Sequence, residues 1–183
     1  MKPKTKLVRA VLLIAASTML SACVTTRQSG MDGNESSSYP ADYSSRLPQH
    51  INTSENTIVV DPSVHAWGAY NANGDLVKAG LASAGSSWCR DLGSPCRTHV
   101  GTFRIHSLGS PTCVSHTFPL GRGGSPMPYC MFFNSGQALH GVPPSEIGEG
   151  NYSHGCVRLQ VGDAEWLRYE FAGIGTKVIV RPY

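Results

Sequence analysis

The stretch Ser153-His154-Gly155-Cys156-Val157-Arg158 sets a thiol directly after a glycine and two residues after a histidine. A cysteine attacks only as its thiolate, so a nucleophilic Cys156 needs a base or a cation within reach. Gly155 has no side chain to keep a substrate backbone away from the sulfur. Backbone N–H groups in such a turn can face a carbonyl oxygen as it gains charge. Two histidines are candidate bases. His154 shares a side with Cys156 in an extended segment, but that spacing alone does not bring it to the sulfur. His140, in Leu139-His140-Gly141, sits at a strand end from which its ring can reach across in three dimensions. Zinc is the competing chemistry for mixed Cys and His. A structural site needs four ligands, however, and the chain has no C-x-x-C or H-x-x-x-H pair. No metal and no cofactor are expected.

The elements that must position these groups read mostly as short strands. Thr57–Asp61 is rich in β-branched residues and stops at Pro62. His65–Asn71 and Leu76–Ala82 flank Asn73-Gly74, a dipeptide suited to a hairpin turn. Val100–Ser107, Pro128–Phe133, Gln137–Val142 and a final Lys177–Arg181 are further strand candidates. One helix is expected over Ala164–Phe171, capped by Asp163, stopped by Gly173, with Trp166, Leu167 and Phe171 on its apolar face. Many short strands punctuated by Gly and Pro indicate a mainly β fold, a sandwich or barrel-like core with one short accessory α-helix.

The amino terminus reads as an export signal. Lys2, Lys4, Lys6 and Arg9 precede an apolar run, Val11–Leu20, that is too short to span a bilayer, and Leu20-Ser21-Ala22-Cys23 follows. The tetrapeptide resembles the lipobox of bacterial lipoproteins, which implies cleavage after residue 22 and lipidation of Cys23. Val24 is not aspartate, and this favours the periplasmic face of the outer membrane. Residues 23–56 are expected to be a flexible tether, because 24–55 hold few large apolar residues. As a coil, about 30 residues span roughly 30 Å. The folded domain is expected over 57–183.

Export changes the charge balance. The whole chain has 15 basic and 12 acidic residues. Four of the basic residues lie in the signal, which leaves 11 against 12, a net of −1. The basicity therefore says nothing of nucleic acid, which is excluded as a partner. Export also makes disulfides plausible among Cys89, Cys96, Cys113 and Cys130. Four cysteines allow three connectivities. Cys89–Cys96 and Cys113–Cys130 is the favoured one, with Cys156 left as the odd thiol.

Taken together, the motifs resemble the L,D-transpeptidase catalytic domain, the YkuD-like family. His140-Gly141 stands ahead of Ser153-His154-Gly155-Cys156-Val157-Arg158, separated by Val142–Tyr152. Thr98-His99-Val100-Gly101-Thr102-Phe103 is similar to a family segment that more often carries proline where His99 stands. Met127-Pro128-Tyr129-Cys130-Met131-Phe132 is similar to another. The likeness covers Thr57 to Pro182.

The resemblance implies a cysteine acyltransferase acting on peptidoglycan stem peptides. Cys156 would attack the carbonyl of the third stem residue, usually diaminopimelate, and release the terminal D-alanine to leave a thioester. An amine from another stem or from a protein would resolve it. By position, His140 is the proton acceptor, the Gly141 carbonyl orients it, and the Gly155 and Cys156 N–H groups form the oxyanion hole. Ser153, His154, Arg158 and Tyr129 would line the pocket, with Arg158 meeting a substrate carboxylate. Two other readings remain open. One is an L,D-carboxypeptidase using water as acceptor. The other is a non-catalytic lipoprotein that binds peptidoglycan or contacts a host. The sequence sets neither the acceptor nor the oligomeric state.

Overall fold

The computed structural model describes residues 42–183. Nine strands make one curled sheet: β1 (Thr57–Asp61), β2 (Ala66–Tyr70), β3 (Leu76–Ser83), β4 (Gly101–Arg104), β5 (Ser107–Leu108), β6 (Met131–Asn134), β7 (Gln137–Val142), β8 (Val157–Gln160) and β9 (Lys177–Val180). Their order is β4-β9-β1-β2-β3-β8-β7-β6-β5. Two pairings are parallel, β1 with β9 and β7 with β8. The β7–β8 crossover, residues 143–156, carries most of the cysteine motif.

The central hairpin follows from its turn chemistry. Asn71 Oδ1 accepts from the N–H groups of Asn73 (2.9 Å) and Asp75 (3.0 Å), and Gly74 takes φ +89°. That conformation costs a glycine little.

The two ends of the sheet belong to one stretch of chain. β4 pairs with β9 and, two residues later, β5 pairs with β6. Between them the N–H of Ile105 donates to Thr176 O (3.0 Å) on the β9 side, and that of His106 to Phe132 O (2.9 Å) on the β6 side. The Phe103 and Phe133 rings meet inside this closure at 5.5 Å. The core within the curl holds Ile58, Val60, Trp67, Ile105, Met131, Leu139, Val157, Leu159 and Val178, all buried. The mainly β, barrel-like expectation matches this architecture.

Four local expectations are corrected. The helix, α1, begins at Val161, not Ala164, and runs to Trp166 before a π-helical turn over Leu167–Phe171. Asp163 lies in its first turn and is not its cap; its carboxylate instead meets Lys78 Nζ at 3.2 Å. The strand expected from Pro128 begins at Met131, because Tyr129 has φ +60° and its N–H donates to Ser110 O (3.0 Å). β8 was not foreseen as a strand.

The fourth correction concerns the proposed tether, whose described part, 42–56, packs on the domain. Leu47 is buried, Tyr70 Oη donates to Pro48 O (2.8 Å), and Arg46 grips Glu149 with two bonds (2.9 and 2.7 Å). Glu55 bridges Arg104 and Lys177, which hold its carboxyl down at about 2. One leucine and several polar ties do here what a hydrophobic run would do elsewhere, so composition alone misled. Cys23, the signal segment and the rest of the tether lie outside the described residues.

Candidate active site

The β7–β8 register decides which side chains share a face. Leu139 pairs with Val157 and Gly141 with Leu159, and the large members of this set enter the core. His140 pairs with Arg158 on the opposite face. Cys156 immediately precedes Val157, so alternation carries it to the face of His140 and Arg158. All three line one cavity of about 720 Å³. The sheet thus brings together the thiol and the remote histidine that the sequence singled out.

His140 is buried, and its Nδ1 lies 3.0 Å from the Gly141 carbonyl oxygen. A carbonyl only accepts, so Nδ1 carries the proton and Nε2 is left as the acceptor. Burial pushes this histidine down to about 4, against the pull of the Gly141 carbonyl and with some help from Arg158. Burial pushes the Cys156 thiol up, while the Ala138 N–H and the Arg158 guanidinium pull it down. At neutral pH the two groups therefore rest uncharged. Gly141 also lets α1 approach: a Cβ there would lie 3.0 Å from Val161 Cα and 3.4 Å from Ala164 Cβ.

The turn before Cys156 is fastened from both sides. Ser153 Oγ donates to Cys156 O and accepts from the Gly155 N–H (3.1 Å). The Gly155 N–H, expected at the oxyanion together with that of Cys156, is therefore engaged inside the turn. Gly155 has φ +120°, and a Cβ there would stand 3.0 Å from Gln137 Nε2. Its carbonyl accepts from Thr98 Oγ1 at 2.8 Å, and that hydroxyl accepts from the Gly85 N–H at 2.9 Å. The departure at His99 has a structural correlate. Its N–H donates to Gln137 Oε1 (3.1 Å), a bond that proline could not make.

The remaining predicted residues divide. Ser153, His154 and Arg158 line the cavity, and Arg158 Nη1 donates to Glu146 O (3.3 Å). Tyr129 does not line it. Its hydroxyl donates to Glu165 (2.9 Å) on α1, and its ring meets Tyr169 edge-on.

Two loops form walls of the cavity, and each is closed by a disulfide. The bonds are Cys89–Cys96 and Cys113–Cys130, with Cys156 free. The longer loop contributes Ser115–Leu120 and Ser125–Met127. Its Cys113 and Cys130 pack with Met127 and Ala138 beside Cys156. The shorter loop contributes Asp91, whose two carboxylate oxygens lie 2.9 and 2.8 Å from His154 Nε2. Phe118 of the longer loop stacks obliquely on the same imidazole, 4.5 Å between centroids. The donor atoms of Cys89, Asp91 and His154 lie within 4.8 Å of one another. With Cys89 committed to its disulfide, this trio offers only two ligands to a metal.

The model of the YkuD family, the L,D-transpeptidase catalytic domain, matches residues 55–180. The chain belongs to that family. Among solved structures, an L,D-transpeptidase from Xylanimonas cellulosilytica is similar at 23% identity and a TM-score of 0.62, covering 73% of this chain and 64% of that one. L,D-transpeptidase 3 from Mycobacterium tuberculosis, solved with a faropenem-derived adduct, gives 22% identity and 0.57, covering 70% and 60%. An L,D-transpeptidase from Stackebrandtia nassauensis gives 25% and 0.55, covering 73% and 60%. The chain thus spans less than two thirds of the length of these structures. No curated protein matches it in sequence. The nine-stranded curl with one short helix is the L,D-transpeptidase fold.

Proposed function

We propose that this chain is a peptidoglycan L,D-transpeptidase with Cys156 as nucleophile. The observation that carries the reading is the His140 Nδ1 contact with Gly141 O, which leaves Nε2 as a base in the cavity that holds the only free thiol among the described residues. His140 Nε2 takes the thiol proton as sulfur attacks the carbonyl of the third stem residue. The Cys156 N–H supports the oxygen of the tetrahedral intermediate. His140 then hands its proton to the departing D-alanine amine, and a thioester remains. An amine acceptor resolves it to a cross-link, and water resolves it to a tripeptide. Arg158, on the His140 face, suits a substrate carboxylate.

Lipidation at Cys23 would hold the enzyme on the periplasmic face of the outer membrane, with the peptidoglycan layer within reach of the intervening chain. Mass spectrometry of the purified protein after carbapenem exposure tests the chemistry, and digestion of tetrapeptide muropeptides tests the product. An adduct on Cys156 that is absent from Cys156→Ala, with cross-linked or shortened stems, is expected. No adduct and no turnover would overturn the enzyme reading in favour of a binding protein.

A further inference from the structure

We infer that His154 and Asp91 form a second proton-transfer dyad that activates the amine acceptor, with His154 as the base and Asp91 as its positioning residue. This assignment rests on the transfer reaction proposed above. It addresses a step that His140 alone does not complete.

An amine side chain arrives at neutral pH as an ammonium ion. With an ordinary value near 10.4, about one molecule in a few thousand is free amine at pH 7. Two protons must leave that nitrogen before an amide stands in its place. The first has to go before attack, since an ammonium has no lone pair. The second goes as the tetrahedral intermediate collapses and the carbon–sulfur bond breaks. His140 can carry one of these, the second, and pass it to the departing Cys156 sulfur. Water as acceptor needs only that one transfer. A site that favours the amine therefore needs another base.

His154 has the arrangement for it. Asp91 is a carboxylate, held below its ordinary range by the histidine itself, and accepts only. Nε2 of His154 must donate to it, which fixes the tautomer and leaves Nδ1 as the acceptor in the neutral ring. The ring lines the same cavity as Cys156 and is held between Asp91 and the Phe118 ring. The other ionisable side chains lining that cavity are His116, Glu146, Arg158, His140 and Cys156, and none of them is hydrogen-bonded to this imidazole. The Cys89–Cys96 bond closes the loop on which Asp91 sits, and Cys89 N–H donates to Ser94 O (3.0 Å) across it.

The proton balance closes. His154 Nδ1 takes the first proton and the free amine attacks the thioester carbonyl. The nitrogen–carbon bond forms and the carbon–sulfur bond breaks, with the electron pair on sulfur. His140 moves the second proton from nitrogen to sulfur, and His154 loses its proton to solvent through the open cavity. Positioned general bases contribute roughly 10²–10⁴ in rate.

The test incubates the purified full chain with tetrapeptide muropeptide as both donor and acceptor, measuring cross-linked dimer against hydrolysed tripeptide across pH. Asp91→Asn is expected to lower the dimer-to-tripeptide ratio about tenfold or more at pH 7. The deficit should shrink as pH rises toward the amine's own value, and Asp91→Glu should recover part of it. Carbapenem labelling of Cys156 in each variant reports an assembled acylation site. A ratio unchanged in Asp91→Asn, or a loss equal in both products at every pH, overturns the dyad. So does a wild-type protein that yields tripeptide alone. If the wild type yields neither product nor an adduct, the transpeptidase reading itself has failed.

Discussion

Thr98 Oγ1 donates to the carbonyl oxygen of Gly155 at 2.8 Å, so a segment 57 positions away holds the residue that precedes the nucleophile. The same hydroxyl accepts from the Gly85 N–H, and Thr98 is buried. Thr98→Val keeps the shape and strands two buried backbone groups. At about 1–3 kcal/mol for each unsatisfied group, a loss of about 2–6 kcal/mol is expected in urea unfolding. Carbapenem labelling of Cys156 should slow in parallel, since the Gly155–Cys156 peptide loses its anchor. Unchanged stability would show that water replaces the hydroxyl.

Gly155→Ala tests the turn from within. At φ +120° any side chain is strained, and the new Cβ would press on Gln137 Nε2. A cost of about 1–3 kcal/mol follows for such a backbone position, and calorimetry would read it. Labelling of Cys156 should fall by at least about tenfold, because a small misplacement of a reacting atom costs far more in rate than in stability. A variant with wild-type labelling would mean that the turn relaxes without moving the sulfur.

The neutral resting pair makes a prediction about thiol reactivity. With burial holding Cys156 above its ordinary value of 9.0, alkylation by iodoacetamide should climb with pH through that value, without a plateau near neutrality. A fast, flat profile from pH 6 upward would reveal a thiolate–imidazolium pair instead.

Stability should carry the signature of His140. Its folded value, about 4, lies below the ordinary 6.5. Between these limits the unfolded chain binds a proton at this imidazole that the folded chain does not. Stability from this group is therefore present above pH 6.5, falls as pH falls to about 4, and changes little below that. The loss amounts to about 3 kcal/mol at most. Stabilities of wild type and His140→Gln, read from denaturant titrations at several pH values from 4 to 7, should diverge by up to about this amount across the window, and parallel pH dependences would refute the burial argument.

Much of the fold was legible because it is local. β1, the Asn73-Gly74 hairpin and β9 carry β-branched residues and turn dipeptides that act within a few positions. β8 escaped notice since Val157-Arg158-Leu159-Gln160 has no turn residue separating it from the motif it follows. Cys156 and His140 were visible as residue types, while their shared face depends on a parallel register fixed by the whole sheet. Asp91 and His154 lie 63 positions apart, and nothing in either neighbourhood points to the other. Cys89 and Cys96 mark only that a loop is closed, not where its carboxylate points. Tyr129 went astray for a similar reason: a positive φ at an aromatic residue leaves no trace in composition.

The passage of residues 101–108 from β9 to β6 has a bearing on how this protein survives in company. An open sheet ends in two strands whose unpaired amides can recruit the strands of a neighbour, and long, flat ends are sites of aggregation. Here the two terminal strands are one short stretch of chain, only four and two residues long, bent across the seam at Ile105 and His106. A second molecule finds little backbone on which to build. The same bend that completes the core thereby limits self-association where many copies crowd together.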